Sequence, residues 1–170
     1  MKPYVILEDV LLYNDLPKLL KGNWTCSSGK KIEFSDILEQ ISMLDCDIYV
    51  GADSNPSRLP FVMAVSIAVV KSGEYARYFY TRSKPWKNRK PELRQRLEDE
   101  VTFSCFVANE IREALPDRKI IVHADINPDT RTASGKFAKQ LEKYIIGYGF
   151  IATIKPLSWA ASCIADKYAG

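Results

Sequence analysis

Asp47-Ile48-Tyr49-Val50-Gly51-Ala52-Asp53-Ser54 is the stretch that decides the fold. Asp47 to Gly51 is short and β-prone, and it runs straight into Gly51-Ala52-Asp53-Ser54, so a strand ends in a carboxylate beside a turn. The same arrangement returns downstream. Lys119 to Asp125 reads as a buried strand that again finishes in a carboxylate, after which Asn127-Pro128-Asp129 forces the chain to turn. Between the two lie a hairpin and a long helix. Phe61 to Val70 reads as a strand, Lys71 to Glu74 carries the turn residues Ser72 and Gly73, and Tyr75 to Thr81 returns as an aromatic-rich strand. Pro91 suits a first helical turn, and Leu93, Leu97, Val101, Ala108, Ile111 and Leu115 recur at the spacing of one helical face.

Working outward, Ile37, Leu38, Ile41 and Leu44 predict a helix from Ser35 to Leu44, with Ser35 as its N-cap. Phe137 to Ile146 is helical, and Gly147 and Gly149 end it in the way helices commonly end. Phe150 to Ile154 is then a strand stopped by Pro156, and a last helix runs from about Ser158 to Tyr168. A hairpin followed by two β-α-β steps predicts an α/β domain over residues 35–170. Its mixed five-stranded sheet combines an antiparallel hairpin with parallel strands, flanked by helices, and its first strand is central. Residues 1–34 hold a short helix around Leu16 to Lys21 and a turn-rich segment from Gly22 to Gly29, and are expected to form an N-terminal extension packed on that domain.

Composition bounds the function classes. At 170 residues, with 46% hydrophobic and 26% charged residues, the chain suits one ordinary globular domain. The longest apolar run, Phe61 to Val70, contains Ser66 and is about half of what a bilayer-spanning helix needs, so no membrane partner is expected. Glu8 and Asp9 interrupt the early hydrophobic stretch, which argues against a secretory leader and for the cytoplasm. Cys26, Cys46, Cys105 and Cys163 form no C-x-x-C pair and read as reduced thiols. A net charge of +3 is too small to announce a nucleic-acid partner by itself, so the distribution of charge has to be inspected.

The carboxyl ends of parallel strands open into one crevice, which puts Asp53 and Asp125 on the same edge of neighbouring strands. Two carboxylates that close raise one another's pKa unless a positive charge sits between them, and a divalent cation is the usual solution. Either aspartate taken singly also reads as a turn or N-cap residue. On the long helix, with Leu97 as the centre of the apolar stripe, Glu100 falls about 60° to one side, Glu98 about 100° to the other, and Glu110 and Glu113 on the wet side. Glu100 is therefore the glutamate placed to border the buried face, or else a half-exposed partner of Arg96 at i,i+4. Asp166 lies among Ala160, Ala161, Ser162, Ile164 and Ala165, small side chains that permit close approach to the sheet; as a single residue it also suits the surface of a chain end. His123, between Val122 and Ala124, reads as a packed, hydrogen-bonded histidine.

Cations gather between Arg82 and Arg96. Arg82, Lys84, Lys87, Arg89, Lys90, Arg94 and Arg96 face the single acid Glu92, with Trp86 in their midst. Cations and an exposed ring are what a phosphate backbone and an unstacked base require; the plainer alternative is a solvated loop before a helix.

The order Asp53, Glu100, Asp125, Asp166, borne on first strand, helix, fourth strand and last helix, resembles the ribonuclease H superfamily. Ile48 to Ser54, Arg96-Leu97 with Glu100, His123-Ala124-Asp125-Ile126, Ile154-Lys155-Pro156, Ala160-Ala161-Ser162 and Ala165-Asp166-Lys167 look like the YkuK family of ribonuclease H-like proteins. The resemblance runs from about Phe34 to the C-terminus. That family more often has Gln where Asn55 stands and a glycine-rich turn where Asn127-Pro128-Asp129 stands. The resemblance implies Mg²⁺ or Mn²⁺, as a pair of ions, and hydrolysis of phosphodiester bonds in RNA, RNA·DNA hybrid or structured DNA. Asp53 would bridge the ions, Asp125 would be the other principal ligand, and Glu100 and Asp166 would complete the shell. Ser54, Asn127, Lys155 and Lys167 would support it. The competing reading is a catalytically silent member that binds nucleic acid or regulates a partner.

Overall fold

A computed structural model describes residues 16–57, 59–86 and 89–170. Among these, the elements in chain order are α1 (Leu16–Leu20), β1 (Trp24–Cys26), β2 (Lys31–Ile32), α2 (Phe34–Ser42), β3 (Asp47–Asn55), β4 (Val62–Lys71), β5 (Tyr75–Ser83), α3 (Leu93–Ala114), β6 (Ile120–Ala124), α4 (Ala138–Gly147), β7 (Ile151–Thr153) and α5 (Asp166–Ala169). A 3₁₀ turn, Gly135–Phe137, leads into α4, and a π-helical segment, Ala160–Ala165, leads into α5. No described helix is long and apolar enough to cross a membrane.

The strands form one mixed sheet in the order β2-β1-β5-β4-β3-β6-β7. β3, β4 and β5 are an antiparallel meander, while β6 and β7 join β3 in parallel, which needs the helical crossovers α3 and α4. The sheet has seven strands where five were expected. The two extra ones, β1 and β2, extend it beyond β5 through the pairs Thr25 with Tyr80 and Cys26 with Phe79. They are three and two residues long, too short to show a period of two. Trp24, fully buried, fixes this edge by donating its ring N–H to the Leu19 carbonyl at 3.2 Å and packing on Phe34.

Three boundaries differ from expectation. β3 does not stop near Gly51 but continues to Asn55, because β4 keeps pairing with it beyond the point where β6 ends. Ser35 is not an N-cap: α2 starts at Phe34, and Glu33 takes the cap position without a side-chain bond. The last helix is α-helical only from Asp166 to Ala169.

The two faces of the sheet are covered unequally. α3 packs over Ala52 and Ala124 through Leu97 and Val101, and this side holds the main core, which includes Val50, Phe103, Val107 and Ile111. The opposite side carries the segment from Ser158 to Ala169, packed through small residues: Ala64 meets Ala165 and Ala169. Alternation along β3 separates the faces, with Ala52 and Ser54 toward α3 and Gly51 and Asp53 toward the last helix.

Candidate metal centre and nucleic-acid face

Register places the first two acids. The parallel ladder of β3 and β6 ends at Ala52 paired with Ala124, so Asp53 and Asp125 each follow the last registered pair directly, at one rim of the sheet. Asp53 is buried, and the Ser54 N–H donates to its Oδ1 at 2.8 Å. Burial, above all, pushes the Asp53 carboxyl up to about 7; the charges of Asp125 and Asp166 add to this, while the Ser54 N–H and Arg96 oppose it.

Glu100 comes from α3, on the other face. It is 4% exposed and accepts hydrogen bonds on Oε1 from Ser54 Oγ at 2.5 Å and Arg96 Nη1 at 3.2 Å. Burial pushes it up to about 8 against the lowering effect of Arg96, with Asp53 and Asp125 raising it further. Glu100 borders the core as the first reading had it; it also pairs with Arg96, but buried rather than half-exposed as the second reading expected. Glu98, two residues earlier and on the other flank of Leu97, pairs instead with Arg94 at 2.8 Å on the surface.

The last helix is brought in by a missing side chain. A Cβ on Gly51 would lie 2.6 Å from the Ala161 nitrogen, so only glycine lets the segment cross β3 this closely. Ser66 Oγ donates to the Ala160 carbonyl at 2.7 Å, and the Ala160 N–H donates to His123 Nδ1 at 3.1 Å. Burial holds His123 down to about 4, so it is neutral and packed between Tyr49 and Trp159. These contacts carry the chain to Asp166, which is exposed at the start of α5.

Cations already engage the acids. Arg96 Nη1 bonds the Ser54 carbonyl at 3.1 Å and Glu100 at 3.2 Å, and lies 3.8 Å from Asp53 Oδ1. Lys155 Nζ is 3.0 Å from Asp125 Oδ1. That ion pair is close but misaligned for a hydrogen bond, which leaves Asp125 Oδ1 a buried oxygen without a hydrogen-bond partner. Among the described residues no three His, Cys, Asp or Glu side chains are gathered tightly enough to hold an ion as they stand. The donor chemistry nonetheless suits a hard divalent cation: carboxylate oxygens only, one of them, on Asp125, buried and without a hydrogen-bond partner.

The remaining supporting residues divide. Ser54 joins the Asp53 and Glu100 sides through its N–H and hydroxyl. Asn127 accepts the Asp129 N–H at 2.9 Å and shapes its own loop, while Lys167 extends over the Tyr168 ring at 5.2 Å.

Arg82, Lys84, Arg89 and Lys90 are exposed, and Lys87 lies outside the described residues. Arg82 stands in register with Ala64, which stands in register with Asp53. Directly paired residues share a face, and strands lie about 4.8 Å apart, so Arg82 is roughly 10 Å from Asp53 on the side of the last helix. Trp86 requires a correction. Its ring is not an exposed stacking surface but is 6% exposed, donating its N–H to Asp99 Oδ2 at 2.5 Å. Asp99 also accepts from Gln95 at 2.8 Å, so it ties the basic segment to the helix that bears Glu100 and Arg96. Sequence reasoning missed Asp99; the available signal was an acid next to Leu97 and Val101, on a helix stretch that must be buried.

No curated protein and no solved structure matches the chain. The family model described as ribonuclease H-like matches residues 32–170. That span takes in the meander, both parallel strands, Asp53 and Asp125, and the chain therefore belongs to the ribonuclease H-like family.

Proposed function

We propose that this chain is a YkuK-type, divalent-metal-dependent nuclease that hydrolyses phosphodiester bonds of RNA, RNA·DNA hybrid or structured DNA in the cytoplasm. The observation that supports the reading is that Asp53 and Asp125 each follow directly on Ala52 and Ala124, the last registered pair of the adjacent parallel strands β3 and β6. Asp53, Asp125, Asp166 and Glu100 are the residues that would hold Mg²⁺ or Mn²⁺, which when bound supplies charge for activating water and stabilising the leaving oxygen.

The chain's own residues perform the rest. Ser54 orients Asp53 through its N–H and Glu100 through its hydroxyl. Arg82, Lys84, Arg89 and Lys90 take the phosphate backbone, with Arg82 roughly 10 Å from Asp53. Lys155, with a side chain 43% exposed, is able to leave Asp125 and neutralise a phosphate oxygen. Trp86 acts from inside, holding the basic segment on α3.

A second reading has its own observation: Arg96 and Lys155 already neutralise part of the acidic charge, as expected of a silent nucleic-acid-binding relative. A cleavage assay separates the two. Purified protein with Mg²⁺ or Mn²⁺ is expected to cut at least one member of an RNA, hybrid and structured-DNA panel, and folded Asp53→Asn and Asp125→Asn proteins to lose more than about a hundredfold of that rate. Cleavage that persists in both variants would assign the activity to a contaminant. Salt-sensitive binding without product would favour the silent reading.

A further inference from the structure

We infer that Arg96 stands in for a second metal ion, so that the centre takes one divalent cation per chain rather than two. The inference rests on the metal-dependent reading above and replaces the pair of ions implied by the family resemblance. Arg96 is not a surface cation that happens to be nearby. Its side chain is 19% exposed, and one nitrogen, Nη1, bonds the Ser54 carbonyl at 3.1 Å and Glu100 Oε1 at 3.2 Å while lying 3.8 Å from Asp53 Oδ1. The guanidinium thus occupies the ground between the strand acid and the helix acid.

Removing that cation would be costly. Arginine remains protonated at any pH the protein survives, and its partner Glu100 is buried beside it. Two of the three polar partners of Nη1 are held by other bonds: Ser54 lies in β3, and Glu100 is gripped by the Ser54 hydroxyl. A divalent ion entering between Asp53 and Glu100 would meet a fixed positive charge within a few ångströms, which is strongly repulsive in a partly buried setting.

The other side of Asp53, which faces Asp125 and Asp166, is where one divalent ion enters, so Glu100 answers Arg96 rather than the ion. There the obstacle is only Lys155, which is far more exposed than Arg96 and able to swing away. Arg96 is accordingly a positioning residue that sets how many ions the carboxylates accept.

Counting ions tests this directly. The full chain is titrated with Mn²⁺, free ion is read by electron paramagnetic resonance, and saturation is expected at one ion per chain. Arg96→Met, which keeps the volume and removes the charge, is expected to raise the count to two, and Arg96→Lys to keep it at one. Two ions on the unaltered protein would overturn the inference whether or not the methionine variant folds, as would a folded Arg96→Met protein still saturating at one. Failure of the underlying metal reading looks different: no saturable Mn²⁺ binding at all, or binding that Asp53→Asn leaves unchanged.

Discussion

The two rims of the sheet both carry aspartates, and the contrast between them shows what turns acids into a centre. At the rim where β3 begins, Asp45 and Asp47 meet Lys71 and Lys119 at 3.9 and 3.4 Å, around an open groove that also touches Asp117 and Arg118. Asp45 is almost wholly exposed, with 94% of its side chain accessible. Water and mobile lysines answer these charges, and such pairs contribute about 0–1 kcal/mol. At the rim where the parallel ladder ends, Asp53 and Glu100 are buried, and the cation between them is a fixed arginine. Acid count is similar at the two ends; desolvation is not.

Glycine substitutions should expose this difference most strongly. Gly51→Ala drives a Cβ into the backbone of the last helix, at 2.6 Å from the Ala161 nitrogen, and is expected to cost about 3 kcal/mol, the upper end of ordinary overpacking. Because that helix carries Asp166, Mn²⁺ affinity should fall by about tenfold or more as well. Gly73→Ala, in the β4–β5 turn toward the other rim, meets no atom within 4 Å and suffers only from its φ of +77°, about 1 kcal/mol. It should leave Mn²⁺ affinity unchanged. Urea unfolding and an ion titration on the same samples check both; equal losses in the two variants would remove the distinction.

A smaller effect lies in pH. Asp53 and Glu100 are raised to about 7 and about 8 from ordinary values of 3.8 and 4.5, so the folded protein binds protons that the unfolded chain has released. Folding stability contributed by these groups therefore falls as pH rises from about 4 to about 8. His123 acts oppositely, since its value is lowered to about 4 from 6.5 and stability is lost as pH drops through that interval. Above pH 6.5 the carboxylates act alone. Metal-free protein is expected to lose stability between pH 6.5 and 8, by at most about 1.4 kcal/mol per pH unit for each proton involved, and saturating Mn²⁺ should flatten or reverse the slope. A flat profile without metal would mean that burial does not raise Asp53 and Glu100 in the folded protein.

Much of this was legible from residues. Strand grammar placed Asp125 just past the end of β6, but it stopped β3 too early, since Asp53 lies two residues inside a strand that β4 extends to Asn55; the 100° helical step singled out Glu100 from Glu98. What was illegible depended on contacts between distant segments. The helical wheel cannot tell that Arg96 reaches past Glu100 to the Ser54 carbonyl in β3. Trp86 sat among cations and so looked exposed, yet its burial is decided by Asp99 on the following helix. Gly51 gave no local sign of its role either, because the chain that needs the space is Ala160-Ala161, far along the sequence. β1 and β2 escaped because three- and two-residue strands carry no pattern and exist only through pairing with β5 and each other.

The most direct test is a crystal grown with Mn²⁺ and read by anomalous scattering. The centre described above predicts an ion held by carboxylate oxygens of Asp53 and Asp125, at the rim where β3 and β6 end their ladder. Absence of an ion from that rim at saturating Mn²⁺, or an ion seated instead among Asp45, Asp47 and Asp117, would contradict it.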